Sequence, residues 1–99
     1  MRLTEFEISI IKSLAENHFG QRAEVFLFGS RTNDNKKGGD IDLFIREEKK
    51  SNQSYQNKIE FLCELKQLIG EQKIDLILDN SIDHNSAFYS TIKKTAIQL

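Results

Sequence analysis

Apolar positions change their period along this chain, and the changes mark its elements. Phe6, Ile10, Ile11, Leu14 and Ala15 recur at helical spacing. Thr4 followed by Glu7 reads as a capping box that opens this helix, and Gly20 as its stop. The period then shortens. Residues 24–28 and 40–45 are short strands rich in β-branched, aromatic and aliphatic side chains, separated by a Gly/Asn/Asp/Lys-rich segment. Residues 46–56 are charged and polar, a solvated loop that leads into a second helix. Ile59, Leu62, Leu65, Lys66 and Ile69 mark one face of that helix, closed by Gly70. Residues 73–79 alternate, with Ile74, Leu76 and Leu78 inward and Asp75, Ile77 and Asp79 on the other face. A last helix is expected from about Asp83, its stripe formed by Phe88, Ile92, Ala96 and Leu99, with Asp83 as its cap. The order is α-β-β-α-β-α. It predicts a small α/β (α+β) fold with a mixed sheet covered by helices, because the strands are linked too irregularly for βαβ repetition.

Length and charge narrow the picture. With 99 residues and 38% hydrophobic content, one core and a single domain over residues 1–99 are expected. Net charge is −1, so no broad basic surface points to direct nucleic-acid binding. No apolar run approaches the roughly 20 residues that span a bilayer, and MRLTEFEISI carries acids where a signal peptide would be apolar. The lone Cys63 fits a reducing compartment. Together these lead to the expectation of a cytoplasmic protein.

The chemistry is concentrated in VFLFGSRTNDNKKGGDIDLFI, residues 25–45. Asp40 and Asp42 fall on one strand face, about 7 Å apart at roughly 3.3 Å per residue. Two carboxylates there are poor core material and suit a hard divalent cation held by oxygen ligands. Gly29-Ser30 ends the preceding strand. Gly29 lets the backbone approach a phosphate, and Ser30 adds a hydroxyl donor, although a plain strand-ending turn has the same residues. Asp75 on the third strand is the natural third carboxylate; an outward-facing aspartate without a role is its alternative. Arg31 is a candidate for neutralising phosphate charge, and equally an exposed loop arginine. Lys36-Lys37-Gly38-Gly39 lacks the P-loop order. His18, His84 and Cys63 are too scattered for a zinc site.

Phe-Gly-Ser, then Asp-x-Asp, then a third strand aspartate resembles the signature of the DNA polymerase β-like nucleotidyltransferase superfamily. The small size is similar to its minimal nucleotidyltransferase (MNT) branch. The resemblance covers roughly residues 25–78. Gly39 departs from it, standing where the family usually has a small polar residue before the first aspartate. The resemblance implies a nucleotidyltransferase fold and transfer of AMP from ATP, or of another nucleoside monophosphate, to a hydroxyl. Asp40, Asp42 and Asp75 would be catalytic and would hold Mg²⁺, with two ions expected. Gly29 and Ser30 would grip the β- and γ-phosphates, and Asp75 would accept the attacking hydroxyl's proton. MNT proteins often act with HEPN-domain partners, so a HEPN toxin modified on a side-chain hydroxyl such as tyrosine is the implied acceptor. A catalytically weak subunit that neutralises its partner by binding alone is the competing reading. A small-molecule (antibiotic-type) transferase is less well served, since about twenty residues after the third strand leave little for an acceptor pocket.

Overall fold

The first helix, α1 (Glu5–Phe19), begins where its sequence says it should. Thr4 Oγ1 accepts from the Glu7 amide at 3.0 Å, and the Thr4 amide donates to Glu7 Oε1 at 2.9 Å. This satisfies two amides that the first helical turn leaves open. Gly20 ends the helix, its N–H donating to the Glu16 carbonyl. The computed structural model describes residues 3–29, 40–47, 55–70, 72–79 and 83–99. Within them α1 is followed by β1 (Glu24–Phe28), β2 (Ile41–Arg46), α2 (Tyr55–Ile69), β3 (Ile74–Leu78), α3 (Ala87–Thr95) and β4 (Ile97–Gln98).

The sheet is mixed, in the order β3-β2-β1-β4. β2 is antiparallel to β1 and parallel to β3, the parallel pair being joined through α2, as a parallel connection requires. Side-chain alternation divides the sheet. Val25, Leu27, Ile41, Leu43, Ile45, Ile74, Leu76 and Leu78 face α1 and α2 and form the main core with Ile11, Leu14, Ala15, Phe19, Phe61 and Leu65. Phe19 and Phe61 are fully buried, their ring centroids 5.4 Å apart. Truncating either costs about 3–5 kcal/mol, a large share of the roughly 5–15 kcal/mol that holds a small domain. The opposite face carries a smaller cluster, Phe44 under Tyr89 and Ile92 of α3, flanked by Phe26, Phe28, Ile77 and Ala96. The expected mixed sheet covered by helices is therefore present.

Several details differ from the sequence expectation. The apolar face of α2 is centred on Phe61 and Leu65, and Ile59 is exposed, as is Phe6 on α1. The last helix starts at Ala87 with Ser86 as its cap, Ser86 Oγ accepting from the Tyr89 amide at 3.0 Å. Asp83 instead stabilises the turn before it, accepting from the Asn85 amide. Tyr89 takes the buried place expected for Phe88, which is 48% exposed. The helix stops at Thr95, Ala96 is extended, and β4 pairs Ile97 and Gln98 with Leu27 and Phe26. Leu99 continues that pairing, its N–H donating to the Val25 carbonyl. The physical reason is the open edge of β1: its unpaired backbone groups gain partners from the end of the chain.

Candidate active site

β2 presents Asp42, Phe44 and Arg46 to the face away from the main core, with Asp40 just before the strand on the same side. β3 presents Asp75 and Ile77 there. The register then decides which of these meet. Asp42 is the strand partner of Phe28 on one side and of Asp75 on the other. Aspartates that are 33 positions apart in sequence thus become cross-strand neighbours.

The electrostatics follow from that placement. Partial burial pushes the Asp42 carboxyl above the ordinary carboxylate range; the Asp75 charge, a hydrogen bond with the Asp75 side chain and the Asp40 charge push the same way, with Lys73 opposing. Lys73 Nζ lies 3.4 Å from Asp40 Oδ2. Both side chains are well exposed, so this pair contributes little to stability, within about 1 kcal/mol. Its local effect is to offset some of the clustered negative charge. In sequence Lys73 marks only the start of the third strand; its place two residues before Asp75 is the signal that it lies near the aspartates.

Gly29 completes the described part of the site. It adopts φ +77°, in the left-handed region that disfavours side chains. A Cβ placed on it would overlap Asp42 Oδ2 and lie 3.1 Å from Asp42 Cγ. The turn and the carboxylate are therefore in contact across a space only glycine leaves open. Ser30, Arg31, Lys36, Lys37, Gly38 and Gly39 lie outside the described residues.

The donor set fits a hard cation in kind: carboxylate oxygens, two of them from Asp42 and Asp75 in register, with like charges that a cation would neutralise. It is not a closed cage, since among the described residues no group of three or more His, Cys, Asp or Glu side chains converges as a metal site. Elsewhere on this face Arg46 is bound by Glu24, Nη2 to Oε1 at 2.8 Å. His84 stacks on Tyr89 with ring centroids 4.2 Å apart. Its Nε2 is 2.9 Å from Asp79 Oδ1, out of line for a hydrogen bond to it, and 3.2 Å from the Asp79 carbonyl oxygen. These contacts tie α3 to the end of β3 and give His84 a packing role.

Residues 8–98 match the family model described as a nucleotidyltransferase domain. The chain belongs to that family. The match spans the sheet and α1 to β4 almost entirely, so the turn at Gly29 and the aspartates at 40, 42 and 75 lie within a nucleotidyltransferase domain. Membership makes the chain a transferase of nucleotidyl groups and implies a nucleoside triphosphate substrate. Nucleotidyltransferases of this family generally use divalent metals. No curated protein matches the chain. Among the described residues no helix is long and apolar enough to cross a membrane.

Proposed function

We propose that this nucleotidyltransferase is of the minimal, MNT type and transfers AMP from ATP to a side-chain hydroxyl of a partner protein, a HEPN-domain toxin whose antitoxin it would be. The observation that carries the catalytic part is the register that sets Asp42 beside Asp75, with Gly29 against Asp42. The partner and the protein acceptor rest on the sequence resemblance. Asp40, Asp42 and Asp75 would hold divalent cations, Mg²⁺ in this reading. Such ions supply charge neutralisation on the phosphates and activation of the acceptor oxygen.

The protein's own residues then have separable tasks. The Gly29-Ser30 turn receives the β- and γ-phosphates, its backbone able to come close because position 29 has no side chain. Asp42 and Asp40, being anionic, would orient the reacting phosphate only through the cations they hold. Asp75, exposed at the sheet edge, is open to an incoming hydroxyl and takes its proton. The acceptor oxygen forms the new bond to the α-phosphorus, the bond to the β-phosphate oxygen breaks, and pyrophosphate leaves with that electron pair.

The alternative is a subunit that masks its partner without chemistry. One observation favours it: Lys73 beside Asp40 already offsets part of the charge repulsion. The test incubates wild type and Asp75→Asn with labelled ATP, Mg²⁺ and the product of the adjacent gene. Partner mass and partner activity are then followed together. The enzyme reading expects Asp75→Asn to bind ATP and partner, yet to add no nucleotide mass. Full neutralisation by the variant, with no mass added by either protein, would reject transfer and leave masking.

A further inference from the structure

We propose that Phe88 is a stacking platform for the nucleobase of the bound triphosphate, an inference that rests on nucleotidyl transfer at Asp42 and Asp75. Phe88 lies in the first turn of α3 and is 48% exposed, while its neighbour Tyr89 is buried against Phe44. Burial therefore explains Tyr89, whereas Phe88 packs only at its edge and stays half-exposed. Its described ring contact is with Phe28, centroids 6.1 Å apart and planes at 80°. Phe28 is the strand partner of Asp42 and immediately precedes Gly29. An aromatic surface thus begins beside both the carboxylates and the turn, and ends at an open phenyl ring.

A nucleoside triphosphate is charged at one end and flat and aromatic at the other. With its phosphates at Gly29 and Asp42, its base would lie toward the aromatic surface that Phe28, the strand partner of Asp42, begins beside them. Stacking on a phenyl ring is tolerant of base identity, because every base has a π face. Phe28 and Phe88 carry no donor or acceptor, so the platform distinguishes a base from no base more strongly than adenine from guanine. The competing seat is the groove of about 130 Å³ lined by Phe26, Phe44, Arg46, Tyr89 and Lys93. It reaches toward Arg46, four residues beyond Asp42 and about 13 Å along the strand, and Arg46 there is already bound to Glu24. The groove also begins at Phe44, two residues from Asp42, but Tyr89 and Ile92 cover Phe44 there, whereas Phe88 presents an exposed ring.

The test compares ATP with inorganic tripolyphosphate, which has the charges and no base. Both are titrated calorimetrically into the full chain with Mn²⁺ or Mg²⁺. Phe88→Ala is expected to weaken ATP about tenfold, equivalent to about 1.4 kcal/mol, and to leave tripolyphosphate unchanged. Because the chain has no tryptophan, Phe88→Trp supplies a single indole whose emission ATP should quench and tripolyphosphate should not. Equal ATP affinity in wild type and Phe88→Ala, or an indole unaffected by saturating ATP, would overturn the platform while leaving nucleotide binding in place. If wild type takes up neither ligand, the underlying reading fails and the platform with it. Should Phe88→Ala unfold, the indole variant decides alone.

Discussion

Gly29→Ala is the most direct probe of whether the turn and Asp42 form one site. Two costs add. At φ +77° an alanine pays the left-handed penalty, about 1–2 kcal/mol. The new Cβ also overlaps Asp42 Oδ2, so the carboxylate must swing away. Its carboxylate end is flexible, so this second cost is that of an unfavourable rotamer, about 0.5–1.5 kcal/mol. The total is roughly 2 kcal/mol, which lowers the Tm of a domain this size by about 10 °C. A double-mutant cycle with Asp42→Ala separates the parts. Removing Asp42 should cancel the overlap and leave the backbone penalty, giving a coupling of about 1 kcal/mol between neighbours. Thermal melts of the four proteins measure it, with and without a divalent cation. Additive effects would show that Gly29 and Asp42 do not touch in solution, and a Gly29→Ala protein as stable as wild type would refute the left-handed turn itself.

The remaining predictions are simpler. Burial and the Asp75 and Asp40 charges raise the Asp42 carboxyl. A raised acid stabilises the fold in acid and loses that contribution as pH climbs through its elevated value. Asp42→Asn should therefore gain on wild type from acid to neutral pH, and a divalent cation should erase the advantage; a pH-independent difference in melts would contradict this. Thr4→Ala removes the oxygen that caps α1 and should cost about 1 kcal/mol, measured by denaturant midpoint, with nucleotide binding unchanged.

What could be read from the sequence was whatever is fixed locally. The capping box and Gly20 bound α1, the alternation of β3 placed Asp75 opposite Ile74 and Leu76, and β1 began and ended as expected. Phe88 and Tyr89 show where local pattern stops deciding. One lies four residues before Ile92 and the other three, so both fit a helical stripe; packing against Phe44 selects Tyr89. Phe61, four residues before Leu65, belongs to the buried face of α2, but Ile59 competed for that face on composition alone. β4 is two residues long and carries no alternation to read. The meeting of Asp42 and Asp75 was only an expectation until sheet order and register placed the strands side by side.

The two faces of the sheet contribute unequally to stability. The face toward α1 and α2 is apolar on every described strand from β1 to β3 and holds the larger core. That leaves the other face free to carry features that cost stability: clustered aspartates, a left-handed glycine and a half-exposed phenylalanine. α3 covers this face through Tyr89 and Ile92 on Phe44, away from the exposed Asp75 at the sheet edge. Phe28 stands at the boundary, packed with the small aromatic cluster, touching Phe88 and paired in register with Asp42. A substitution at Asp42 or Asp75 therefore removes charge from a surface on which the core does not depend. Under the proposed function, such substitutions should abolish nucleotide transfer and leave the fold in place.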